Sequence, residues 1–261
     1  MSDYKKLNNH PLELVLVEVR YSPILNVKKY IPELHDQLRG EFPNFNAVVD
    51  KAVNVSLDQV DFSDIERWQF SSKDSQRVVD IDQNRVVYAT TKYDRFDGFE
   101  KEVKHIVEVL KKVINPAIYT RVGLRYCDNI VSPDGGDAGL SKLIAPQLLF
   151  DDTFSDIGRK GFKRQEYLIT TGKTHLMIRT FQVVTPQVLP DDLSSIGLNI
   201  KADESPKLRI ILDFDHFWQD PNNPIDFEVD NILQTLGGLH EASRTAFWDA
   251  TTPYARNEVW R

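Results

Sequence analysis

A single cysteine, Cys127, stands in 261 residues. One thiol cannot form an internal disulfide or a Cys-x-x-Cys zinc knuckle, so the chain must be held by an ordinary apolar core, and it fits a reducing compartment. At this length a core of adequate size is within reach. Basic excess is also missing: 32 Lys and Arg face 39 Asp and Glu, for a net charge of -7. A nucleic-acid binder usually carries a visibly basic footprint, so no sequence-specific nucleic acid is expected as a partner. No apolar run approaches the length that spans a bilayer. The opening MSDYKKLNNHPLELVLVEV passes from a short charged start straight into an alternating strand, with no apolar leader core, and we expect a cytoplasmic chain. G-x-S-x-G, H-E-x-x-H and G-x-G-x-x-G turns are lacking too. The six histidines are scattered without ligand spacing, and neither a metal nor a cofactor is expected.

What is present reads as a compact α+β protein, with 41% hydrophobic and 27% charged residues. LELVLVEVRY (residues 12–21) alternates as a strand. A helix is expected over about 27–41, with Pro32 tolerated in its first turn. NAVVDKAVNVSL and the segment 66–93 give further strands joined by polar turns at Lys73-Asp74 and Gln83-Asn84. Phe99, Val103, Ile106, Val107, Leu110 and Ile114 then form the strongest helical stripe, ended by Asn115-Pro116. From residue 117 the order starts again: strand, Gly-rich loop, short helix, three strands and a long closing helix. VEVRYSPIL and VGLRYCDNI share Val, Arg, Tyr and the apolar phase. We therefore expect two similar β-α-β(3)-α units, 1–116 and 117–261, in one compact fold. They would form one curved, mostly antiparallel sheet with the long helices on one face, the layout of the TATA-binding-protein-like or helix-grip type.

Strand parity then assigns the charges. In RVGLRYCDNI, Val122, Leu124, Tyr126 and Ile130 face the core, which leaves Arg121 and Arg125 on the other side. In LRIILDFDHFW the core set is Leu208, Ile210, Leu212 and Phe214, so Arg209, Asp213 and Asp215 join them, as do Glu18 and Arg20. This face is either a lattice of cross-strand ion pairs or a ligand site in which Arg20 and Arg125 clamp an anion that the carboxylates orient. Asp213 and Asp215 also invite a metal reading, with Glu18 and Lys163 or Arg209 as the remaining parts of a phosphoesterase.

The one basic cluster is GRKGFKR, with Arg159, Lys160, Lys163 and Arg164 around Phe162. It is either a solvated loop or a patch for an acidic partner or a peripheral anionic surface. Phe162, Trp218 and Trp260 are candidate interface anchors. TTGKT resembles the end of a phosphate loop but lies between two alternating strands, which makes it a hairpin turn. Cys127 and His240 are expected to be packing residues.

LVEVRYSPI, WQFSS, RVGLRYCDNI and LDFDHF, in this order, resemble the signature of a sporadically distributed, uncharacterised prokaryotic protein family of about this size. The resemblance supplies no reaction and no catalytic residues. What it implies is an accessory gene of the kind carried on mobile or defence islands, and a component of an anti-phage or toxin-antitoxin-like system is expected from it. The expected function is a non-enzymatic sensor or adaptor acting through a protein partner, possibly encoded by an adjacent gene. The alternative is a small-molecule or nucleotide-binding protein, or a metal-dependent phosphoesterase, using the charged sheet face.

Overall fold

The computed structural model describes residues 5–55, 60–151, 153, 155–158 and 160–261, with backbone only for 52–55 and 60–63. Its frame is one large sheet in the order β2-β3-β4-β5-β1-β6-β9-β8-β7, with the pairing antiparallel throughout and the sheet not closed into a barrel. The strands are β1 (Leu12–Tyr21), β2 (Asn44–Val55), β3 (Val60–Ser71), β4 (Arg77–Ile81), β5 (Arg85–Thr90), β6 (Ile118–Val131), β7 (Phe162–Thr171), β8 (Thr174–Thr185) and β9 (Lys207–Gln219). A two-residue strand, β10 (Ile225–Asp226), pairs with the start of β6. Four α-helices accompany them among the described residues: α1 (Ile31–Leu38), α2 (Phe96–Val113), α3 (Asp137–Ser141) and α4 (Val229–Ala250).

The first and second halves meet at β1 and β6, where Glu18 lies opposite Gly123 and Arg20 opposite Arg121. The second half has three strands between its helices, β7, β8 and β9, before the short β10, while the first has four. The helix expected over 27–41 is split, a 3-10 turn at Val27–Tyr30 leading into α1 with Pro32 in its first turn. Asn115 takes a left-handed φ of 53° just after α2, and Pro116 prevents continuation.

On one face of the sheet, Val15, Val17, Val19 and Tyr21 of β1 and Val122 and Leu124 of β6 meet α1, α2 and α4. The helical stripe Phe99, Val103, Ile106, Val107 and Leu110 is buried there, as are Ile232, Leu236 and Leu239 of α4. Each such side chain contributes roughly 1.5–3 kcal/mol through burial, which explains why these helices dock rather than fray.

The opposite face is not the open surface that strand parity alone suggests. The β8–β9 connection runs across it as a strap over residues 186–201. Leu189, Leu193, Ile196, Leu198 and Ile200 pack there on Leu14, Val78, Ala89 and Cys127. Gly197 lets the strap approach β3: its φ is +84°, and a Cβ there would fall 2.8 Å from the Gln69 amide oxygen. Gln69 in turn donates to the Ser195 carbonyl at 3.2 Å. No helix among the described residues is long and apolar enough to cross a membrane.

Candidate functional site

Glu18 and Arg20 from β1, Arg121 and Arg125 from β6, and Arg209, Asp213 and Asp215 from β9 do share the strap-side face of the sheet. Their geometry is that of a paired network. Arg125 donates twice to Asp213, at 2.7 and 2.8 Å, and turns its other edge to Asp192 of the strap at 2.6 Å. Arg179 of β8 reaches the same Asp213 at 3.1 Å. Arg121 lies 3.9 Å over the Phe217 ring while donating to Glu18 at 2.9 Å, and Arg20 donates to Glu18 at 2.8 Å. Burial works against the Glu18 charge, yet Arg20 and Arg121 outweigh it and hold the carboxyl below its ordinary range. Asp215 goes the other way: burial raises it despite the arginines nearby. Arg209 is fully buried at the far end of β9, bonded to Asn129 at 3.0 Å and to Asp203.

Between strap and sheet lies a cleft of about 310 Å³. Five arginines line it (20, 67, 85, 121 and 125), against five carboxylates at 18, 50, 80, 192 and 215. An anion entering here must displace partners already in place, and that opposes the clamp reading. Both oxygens of Asp213 are engaged by arginine, and no group of three or more His, Cys, Asp or Glu among the described residues could hold a metal ion. Cys127 is buried on this face, and burial pushes its thiol well above the usual range.

The basic cluster does not converge. Arg159 lies outside the described residues. Lys160 approaches Asp151 at 3.8 Å, Lys163 donates to the Leu149 carbonyl, and Arg164 bonds Glu166 on its own strand at 2.9 Å. Of the three candidate anchors, Phe162 is exposed, whereas Trp260 is buried near Phe247 and Trp218 is half-buried edge-on to Tyr119. TTGKT is the β7–β8 hairpin, with Gly172 at φ +66°.

A second cavity, of about 340 Å³, opens on the helix side between the N-terminal segment, the start of α2, α4 and β6. Its lining mixes aromatic rings, among them Tyr93, Phe96, Tyr126 and Trp248, with charged side chains such as Lys6, Asp97 and Arg244. His240 stacks on Phe96 with ring centroids 4.0 Å apart and planes within 2°. The same histidine shares a 2.9 Å hydrogen bond with the Tyr126 hydroxyl, and burial lowers its pKa to about 4, so the imidazole is neutral. Asp128 lines this cavity at 4% exposure, and its carboxyl forms no hydrogen bond or ion pair with any described residue. Burial first, then the charges of Glu13 and Asp213, raise its pKa to about 8. His10 adds a second unmet group: Nε2 bonds the Tyr93 carbonyl at 3.1 Å, while the buried Nδ1 has no partner among the described residues.

Asp128 was absent from the candidates drawn from sequence, although the signal was there. It stands on the same strand parity as Tyr126 and Ile130, a charge among core positions. Leu12 lies across from it in the β1–β6 pairing, and the register shift between Leu12 and Leu14 leaves Glu13 as the extra residue beside that pair.

Fold and cavity together define an α+β protein with one ion-paired sheet face and one aromatic, carboxyl-bearing cavity. No protein-family model matches the chain, and no curated protein is significantly similar to it.

Proposed function

We propose that the protein is a ligand-binding sensor whose site is the cavity beside Asp128. Its ligand is a planar nitrogen heteroaromatic that carries an amino group next to a ring nitrogen. The observation behind this reading is Asp128 itself, a carboxyl 4% exposed that lines a cavity and has no hydrogen-bond or ion-pair partner among the described residues. A buried polar group left unpaired costs roughly 1–3 kcal/mol, and a ligand that pairs with it recovers that energy. A carboxyl with a pKa of about 8 suits an aminopyridine-type edge. The acid O–H donates to the ring nitrogen while the amino N–H donates to the carbonyl oxygen, and both bonds persist if the proton moves to the ligand. Tyr93, Tyr126 and the Phe96–His240 pair offer rings to pack on it. A volume of about 340 Å³ is at the small end for ligand pockets and suits a nucleobase-sized ring system.

The strap-side arginines act in this reading as scaffold rather than as clamp. The fold is read as two related units of the TATA-binding-protein-like or helix-grip type, a view supported by the mirrored strand order on either side of the β1–β6 pair. A non-enzymatic role in an anti-phage-type accessory system, with occupancy relayed to a protein partner, rests on the sequence resemblance.

The test is thermal unfolding of the wild type and Asp128→Asn with adenosine, guanosine, cytidine and a pterin, using uridine as the amino-free control. Saturable stabilisation by an amino-bearing compound, lost in the variant, supports the reading. No stabilisation by any of them, or equal stabilisation of the variant, overturns it.

A further inference from the structure

We infer that the free edge of β7 joins a second copy of this chain, in an antiparallel register centred on Gln165, to give a two-fold dimer with one continuous sheet. This surface is separate from the Asp128 cavity and does not depend on the ligand-binding reading.

The strand β7 is the last of the sheet and, among the described strands, pairs only with β8, while its Lys163 and Gln165 side chains donate to the Leu149 and Gln147 carbonyls. An unpaired edge is a template for another strand, and folds that must stay monomeric shorten, bulge or cover it. Here it runs for ten residues, and most of its side chains are exposed on both faces. Phe162 is 65% exposed and Leu168 60% on the strap side, with Ile169 at 44% and Tyr167 at 41% on the helix side.

The sequence of the strand then selects the occupant. Two copies related by a two-fold axis perpendicular to the sheet pair residue with residue on the same face, so only registers centred on a residue are open. Centring on Gln165 sets Arg164 opposite Glu166 of the other copy, twice, and Phe162 opposite Leu168, twice, all on the strap side. On the helix side it sets Lys163 opposite Tyr167. Moving the centre by one residue to Glu166 puts Arg164 against Leu168 and leaves Glu166 facing itself. Centring on Arg164 puts Phe162 against Glu166 and Arg164 against itself. The Gln165 register alone matches charge with charge and apolar with apolar. In the single chain Arg164 and Glu166 already bond each other along the strand at 2.9 Å, so both are oriented and exposed for exchange across the dyad. A single strand-to-strand seam is small for an interface, which makes the dimer reversible with concentration.

Analytical ultracentrifugation of the full chain, from low micromolar to several hundred micromolar, tests this. The mass should climb from the 30.1 kDa of one chain toward twice that value. Arg164→Glu and Glu166→Arg should each weaken association by about tenfold or more, because each sets like charges opposite each other. The double exchange R164E/E166R should restore it. Circular dichroism checks that each variant stays folded, which both exposed positions permit. A mass of one chain at all concentrations overturns the proposal, as does dimerisation insensitive to the single exchanges or a double exchange that fails to restore it.

Discussion

Replacing Asp128 with Asn should change how stability depends on pH, by an amount that follows from the burial of one carboxyl. Its pKa rises from an ordinary 3.8 to about 8 in the fold. Below the lower value the folded and unfolded chains both hold the proton, and the group has no effect on stability. Between the two, only the folded chain keeps it, so stability falls as pH rises, by about 1.4 kcal/mol per pH unit. Above the upper value both have lost it, and the penalty is complete. The accumulated difference is on the order of 4 kcal/mol at pH 7 and 6 kcal/mol by pH 9.

Asn has no such titration, so the gap between variant and wild type should swing in favour of the variant as pH rises from 5 to about 8. A constant offset from exchanging one neutral group for another does not alter that slope. Glu13 and Asp213, whose charges help to raise Asp128, are common to both proteins, as are His10, Asp97, His240 and Arg244 around the cavity. Urea unfolding at several pH values reads the effect directly. With a denaturant slope of roughly 3 kcal/mol per molar, the midpoint difference should grow by about half a molar per pH unit. Parallel curves for the two proteins would refute the burial argument and remove the basis of the ligand site.

The strap-side network makes contrasting predictions. Arg125→Ala leaves Asp213, itself only 3% exposed, with Arg179 as its remaining cation, and should cost about 3 kcal/mol by urea unfolding. Asp192→Ala removes a partner that is 62% exposed and should cost no more than about 1 kcal/mol; a larger loss would mean that the strap is held by this pair rather than by its leucines and isoleucines. Cys127 should resist a thiol reagent in the native protein and react fully once unfolded, and rapid native labelling would show that the strap opens readily.

How much of this was open to reading from sequence depends on the range of the interaction. Alternation along a strand is local, and it placed Glu18, Arg20, Arg121, Arg125, Arg209, Asp213 and Asp215 on one face. It could not say that Asp192, 67 residues from Arg125, would descend on that face from a strap. The hint lay within β1, whose strap-side parity begins with Leu14 and Leu16 before turning to Glu18 and Arg20. A face apolar at one end needs a cover there, and the leucines and isoleucines of residues 189–200 provide it.

Asp128 is the reverse case. Its place on the core parity of β6 was legible as a conflict between residue type and environment, while the cavity that gives the conflict meaning depends on how α2 and α4 dock, which no local pattern specifies. Such conflicts tend to mark functional or strained sites, because elsewhere selection for stability removes them. An apolar residue at this position would have completed the Tyr126–Ile130 face. A carboxyl there, with His10 Nδ1 also unmet beside it, leaves two polar groups facing one space of ligand size. A ligand that pairs with them recovers whatever part of their cost solvent in the cavity does not already meet.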